Sequence, residues 1–417
     1  MGLEFNKMID QVFKMGSLIE KLDFDMRDQL DIARERFFNA NDLDFIQERV
    51  ELVRRSDISG YRGAAPVDAE FAEPVNRGYA PPEHLLDQAI LIAADGSQIY
   101  PNEQSPIHYY VLNTGLFIFH HGADKVPEQI TNPKLYYHKA HLNDSENRLI
   151  SNQTVDARRT VMEMQHLGEV SWEYRRKNPD LPIFAFYDNH LLFWANNDVV
   201  GGSDLMKDYE GALTHLYDSG AFLAGYIDNP HRGTVMLRLL YLLSLQDEAD
   251  IKAHETILAK GGDLEGLRDR HLFNSVLRVG ERSAIMVQNS PRNLAYKQRG
   301  INYEVAFFYV KVGTHSHHNL ARVDVPMWVV RQEGAIDQLH AMILNQSRAQ
   351  GRNPYPYVLT RADELARITG KDKNKLEEMI SLELRKKGIS PGIMAAKAKT
   401  KLMAHSDMRN YDMRTDL

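Results

Sequence analysis

Four stretches of this chain carry side chains suited to chemistry, each with a carboxylate at its centre. In the first, Ala89-Ile90-Leu91-Ile92-Ala93-Ala94 reads as a buried strand and runs straight into Asp95-Gly96-Ser97. A carboxylate at the carboxyl end of such a strand sits where open α/β sheets present their ligands. Gly96 lets the backbone turn and come close to a ligand, and Ser97 sets a hydroxyl beside the acid. A plain Asp-Gly turn is the alternative. In the second, Ile183 to Trp194 reads as another apolar strand, interrupted by Asp188. A lone acid there is costly unless it is paired, protonated or metal-bound. Its alternative is a strand that ends at Tyr187, with Asp188-Asn189 as an exposed turn.

The third stretch is a helix capped by Thr154 and running to about Arg176. Glu163, Leu167, Val170 and Tyr174 share one inward stripe, which makes Glu163 the better ligand candidate and Glu169 the reserve. Glu169 and Glu173 share a face with Arg176 and Lys177, as in a solvated ion-pair surface. An internal salt bridge from Glu163 to Arg158 or Arg159 is the bland alternative. In the fourth, Pro354 and Pro356 fix the backbone on both sides of Tyr355, and a helix carrying Asp363 and Glu364 follows. Asp363 is expected in the first turn of that helix, where capping by an anion is the simplest role.

Composition narrows the chemistry. The 417 residues include 50 Lys+Arg against 57 Asp+Glu, a net charge of −7, with 43% hydrophobic and 26% charged residues, which suits a folded chain with a sizeable core. With no cysteine, thiolate metal sites, iron–sulfur clusters and a cysteine nucleophile are excluded. There is no Gly-x-x-x-x-Gly-Lys-Ser/Thr loop, no His-Glu-x-x-His helix and no Gly-x-Ser-x-Gly elbow. His315, His317 and His318 read as a solvated hairpin loop. Charged residues interrupt the N-terminal apolar positions, and the longest apolar run, Val235 to Leu245, is short and broken by Arg238. A cytoplasmic protein without a membrane span is the expectation.

The elements that must position these residues alternate between strand and helix, predicting an α/β protein with a mixed central sheet flanked by helices. Residues 4–55 form two amphipathic helices, an N-terminal helical hairpin, and 59–82 a Pro/Gly-rich connector. Strands are expected at 107–120, 134–142, 221–227, 301–312 and 320–330. Helices are expected at 204–219, 231–243, 333–350, 360–369 and 372–387. Residues 246–298 form a helical excursion. This gives a helical region and connector over 1–82, a main domain over 83–387 and a basic tail over 388–417. Residues 385–414 hold eight basic side chains against two acids, Lys397, Lys399 and Lys401 among them, which suits either a solvated helix or a nucleic-acid docking segment.

With these residues in view, the sequence resembles the NurA family of DNA-repair nucleases from about residue 85 to 385. The parts that match are Ala94-Asp95-Gly96-Ser97, Arg159-Thr160-Val161-Met162-Glu163, Phe186-Tyr187-Asp188, Ala224-Gly225-Tyr226-Ile227 with Pro230, Gly280-Glu281-Arg282-Ser283, Ala321-Arg322-Val323 with Pro326, and Tyr355-Pro356-Tyr357-Val358-Leu359 before Ala362-Asp363. The resemblance implies an RNase H-like fold and acids converging on Mn²⁺ or Mg²⁺. It implies cleavage of single-stranded DNA and duplex ends, with 5′-strand resection at double-strand breaks. It also implies a homodimer working with a HerA-type hexameric ATPase. Asp95, Glu163 and Asp188 match the family's catalytic acids and Tyr355 its active-site tyrosine, while Asp363 stands where many relatives have histidine. Phosphodiester hydrolysis suits such a set, because two divalent ions ~3.5–4 Å apart held by carboxylates stabilise both attacking and leaving oxygens. In that scheme all four acids are metal ligands, Tyr355 contacts phosphate or base, and Ser97, Arg159 and Arg282 contact DNA. A catalytically silent DNA-binding or regulatory subunit of the ATPase complex is the second reading.

Overall fold

The computed structural model describes residues 4–55, 61–103, 105 and 107–388. Nine strands form one sheet: β1 (Ala64–Pro66), β2 (Ala89–Ile99), β3 (Tyr110–His121), β4 (Glu128–Tyr136), β5 (Ile183–Tyr187), β6 (Phe222–Asp228), β7 (Met286–Gln288), β8 (Val305–Gly313) and β9 (His318–Pro326). Their order across the sheet is β1-β7-β8-β9-β6-β5-β2-β3-β4. β2, β3 and β4 are an antiparallel meander, and β5 and β6 run parallel to β2. An antiparallel trio with two parallel strands added beside the first is the RNase H-like arrangement that the resemblance implied. Every residue of β5 is buried, as expected of a central strand covered on both faces.

Several boundaries differ from the sequence expectation, each for a physical reason. β2 continues through Asp95-Gly96-Ser97 to Ile99, so these residues are strand and not a turn. Its parallel pairing with β5 stops at Ala94 and Tyr187, where the polar residues begin. β4 lies earlier than 134–142, and residues 128–135 are all exposed at the sheet edge, so burial imprinted no alternation on them. The helix Asn152–Lys177 is capped by Ser151, which accepts the Thr154 amide at 3.2 Å; Thr154 is buried. β1 arises inside the connector, and β7 inside the excursion. Strands of three residues carry too little periodicity to show in sequence.

The excursion and the N-terminal hairpin pack on one another. Arg36 forks onto both carboxylate oxygens of Asp263 at 2.7 and 2.6 Å, and Phe37 meets Phe273 edge-on at 6.0 Å. Asp269 ties this unit to the sheet. Fully buried, its carboxylate accepts the amides of Val235 (2.7 Å), Met236 (3.1 Å) and Leu237 (3.1 Å) and the Tyr309 hydroxyl (2.8 Å). It therefore supplies the acceptor that the helix Val235–Ser244 lacks at its own N-cap. No described helix is long and apolar enough to cross a membrane.

Asp269→Ala strands three buried amides and a phenol without acceptors. A cost of about 2–4 kcal/mol is expected, on the scale of lost caps and unsatisfied buried donors. A lowered thermal unfolding midpoint measured by circular dichroism checks it.

Candidate active site

Asp95 and Asp188 come together because of register. Ala94 on β2 pairs with Tyr187 on β5, so the next residue of each chain brings the two acids side by side. Asp188 follows the last residue of β5, so the strand does end at Tyr187 and Asp188-Asn189 form an exposed bend, as in the alternative, while the Asp363 charge still acts on Asp188. Gly115 pairs with Asp95 on β3, and its missing side chain is what admits the helix Tyr357–Ala366. A Cβ there would stand 2.5 Å from the Ala366 nitrogen and 2.7 Å from the Ala362 oxygen. This helix brings Asp363, whose charge acts on both Asp95 and Asp188. Asp363 lies in the second turn, not the first, because the helix begins at Tyr357; the capping role is thereby removed.

Glu163 enters from the other side of β2. Successive residues of a strand face opposite ways, and a Cβ at Gly96 would lie 2.2 Å from the Glu163 Oε1. Gly96 is therefore a window for that carboxylate. Glu163 is 3% exposed, its Oε1 has no hydrogen-bond partner, and the Arg159 Nε faces it at 3.5 Å. The Arg159 Nη1 also donates to the Gly96 carbonyl at 3.0 Å. Glu169 is exposed, and Glu173 pairs with Lys177 at 2.6 Å on the solvated face. The inward candidate is thus the one at the site, and the Arg159 contact expected as its alternative is present as well.

Tyr355 completes the arrangement. Pro354 and Pro356 are buried on both sides of it. Its hydroxyl donates to Asp188, and its ring meets Tyr226 edge-on at 5.3 Å. Asp228, at the end of β6, is a member that sequence reasoning missed. Burial and the Asp188 charge raise its carboxyl to about 6, and the Asn319 side-chain amide donates to it at 2.5 Å. The signal was present, since Asp228 closes the apolar strand that begins at Phe222 much as Asp188 follows β5.

Electrostatics follow from crowding. Burial, reinforced by Asp188 and Asp363, raises Asp95 from its ordinary 3.8 to about 6. Burial raises Glu163 from 4.5 to about 8 against the pull of Arg159, with Asp95 adding to the rise. Among the described residues no three His, Asp or Glu side chains are gathered closely enough to enclose an ion. Protein donors engage them instead: the Gly96 amide binds Asp95 at 2.7 Å, and Tyr355 holds Asp188. The donor set nevertheless fits a hard divalent cation, being all carboxylate oxygen, with one buried Glu163 oxygen that accepts no hydrogen bond.

Other expectations are corrected. The Ser97 hydroxyl, read as a DNA contact, donates to the Ala366 carbonyl and accepts the Ile368 amide at 3.1 Å, latching the end of the helix that bears Asp363. Arg282, read as a phosphate contact, is 3% exposed and forks onto Glu73 at 2.7 and 2.8 Å, with its guanidinium over Tyr79. It is spent inside the fold. Lys397, Lys399 and Lys401 lie outside the described residues.

The family model described as the NurA domain matches residues 90–368, about two thirds of the chain. The chain belongs to the NurA family. Similar solved structures include the NurA nuclease from Sulfolobus solfataricus, 12% identical, with 93% of this chain and 98% of that chain covered and a TM-score of 0.44. A NurA bound to dAMP and manganese is 11% identical, covering 91% and 98%, with a TM-score of 0.36. The catalytic domain of human endonuclease V is 14% identical, covering 81% and 99%, with a TM-score of 0.27. No curated protein matches the chain.

In this NurA chain Asp95, Glu163 and Asp188 oppose folding when ionised. Folding favours protonated Asp95, so stability from that group is full below pH 4 and lost as pH rises through about 6. Asp95→Asn removes the penalty. A gain of about 1–3 kcal/mol is expected at pH 8, fading to nothing near pH 4, and thermal melts across that range read it.

Proposed function

We propose that this member of the NurA nuclease family is a divalent-metal-dependent deoxyribonuclease. What supports the reading is that Asp95, Glu163, Asp188 and Asp363, borne by separate elements, lie near enough for their charges to act on one another, with Glu163 buried behind the more exposed acids. Mn²⁺ or Mg²⁺, two ions in this reading, would supply charge stabilisation on the phosphoryl oxygens and a water acidic enough to attack. The four acids hold the cations, with Asp228 at the margin as a further carboxylate. Arg159 offsets part of their charge and keeps Glu163 in place, and its partial exposure leaves room for a phosphate contact. Tyr355 orients Asp188 through its hydroxyl and, being partly exposed, is the residue to contact a phosphate or a base. Asp363 in place of histidine keeps a hard ligand at that position.

The same reading extends to 5′–3′ exonuclease action, endonuclease action on single strands, end resection with a HerA-type hexameric ATPase, a homodimer and a cytoplasmic location. A second reading, a catalytically silent DNA-binding or regulatory subunit, draws on the absence of a gathered three-ligand cluster among the described residues.

One assay separates the two. A 5′-overhang duplex and a single strand, each end-labelled, are incubated with the protein and Mn²⁺, with and without EDTA. Cleavage that EDTA abolishes is expected. Asp95→Asn and Asp188→Asn should each lower the rate by about 10²–10³-fold, the scale of losing one preorganised electrostatic contact at a reacting centre. Cleavage that persists unchanged in both variants sinks the assignment of the site, and DNA binding without cleavage favours the silent subunit.

A further inference from the structure

The turn after β5 carries Asp188 out of the sheet, and its support comes from two strands away. Tyr187, Gly225 and Asp324 lie in one row across β5, β6 and β9, since Gly225 pairs with Tyr187 on one side and with Asp324 on the other. A Cβ at Gly225 would stand 2.4 Å from the Asn189 oxygen and 3.0 Å from the Leu191 Cγ. The bare glycine lets residues 189–191 fold down over β6. There they meet the Asp324 carboxylate, whose Oδ2 accepts the His190 Nδ1 at 3.0 Å and the Leu191 amide at 3.4 Å.

Asp324 is fully buried, and an ionised carboxylate so placed is costly without partners. Arg322, itself 5% exposed and packed at 4.1 Å over the Phe307 ring, donates its Nε to Asp324 Oδ1 at 2.8 Å. Burial alone would raise the Asp324 carboxyl, but Arg322 and His190 bring it down to about 2, so it is ionised at neutral pH. The two oxygens divide the work, one fixed to β9 through Arg322 and the other holding the turn. His190 is half exposed, with its Nδ1 set on the buried Asp324 carboxylate.

We propose that Asp324 is a positioning residue that pins the Asp188-bearing turn through His190 and Leu191. This rests on the reading of Asp188 as a cation ligand, and its effect passes through the backbone of residues 188–191, not through contact with a cation. Groups that orient metal ligands from behind are worth about 10–100-fold in metal affinity.

The test uses the full chain as wild type, His190→Ala and His190→Asn. Alanine cuts the stronger, imidazole link and leaves the Leu191 amide contact and the Arg322–Asp324 pair in place, whereas the asparagine amide offers a donor close to where Nδ1 stood. Two readouts are taken: amide hydrogen exchange over residues 188–193 without metal, and Mn²⁺ affinity from the electron paramagnetic resonance signal of free Mn²⁺. His190→Ala should exchange at least about tenfold faster over that segment and bind Mn²⁺ about tenfold more weakly. His190→Asn should recover most of both. Unchanged exchange in the alanine variant, or no recovery with asparagine, overturns the proposal. If the wild type binds no Mn²⁺, the nuclease reading falls instead, and the exchange data alone decide whether Asp324 pins the turn.

Discussion

Crowded negative charge in a poorly solvated place is the constraint around which this molecule is arranged. Carboxylates brought together away from water repel one another and lose hydration, and both effects weaken the folded state. A chain that crowds several acids at one edge of its core needs a scaffold stiff enough to hold them against that push. Here the scaffold is the central sheet, with β5 wholly buried and β2 paired on both sides at its apolar half. The acids sit where the apolar residues stop. Stability is given up at the position where a counter-charge from outside would be most strongly bound, a trade common at functional sites.

Much of this was legible in the chain because burial writes itself into sequence. The apolar runs before Asp95 and Asp188 read as strands, and helical spacing alone separates the inward Glu163 from the exposed Glu169. The misread features depend on what lies opposite in space. Ser97 looked like a ligand contact since a hydroxyl beside an acid often is one, but the Ala366 carbonyl that claims it is 269 residues away. Arg282 is read from the sequence as a phosphate contact, but its partner Glu73 lies in the connector, 209 residues earlier. Asp363 was placed in the wrong turn because the helix starts right after Pro356, earlier than its periodicity suggests. Asp228 was passed over although it closes an apolar strand in the same manner as its neighbours.

The periphery obeys a different logic. Between β6 and β8 the chain leaves the sheet for some seventy residues, returning only for the short β7. Such a detour would cost order without reward if it were loosely attached. Asp269 attaches it with one buried group serving a helix end and a strand tyrosine together. The N-terminal hairpin then leans on the detour through Arg36 and Phe37, so outer layers are secured by inner ones.

The latch at Ser97 has a consequence for how the fourth acid can vary. The helix Tyr357–Ala366 is held at its far end by Ser97 and Asn113, which both bond the Ala366 carbonyl, and at its flank by the vacancy at Gly115. Asp363 is exposed and takes no part in that attachment. Position 363 is thus relieved of architectural duty, so aspartate and histidine can be exchanged there with little disturbance to the frame. The fastening and the exposed carboxylate occupy separate residues, so the side chain at 363 can change without loosening the helix.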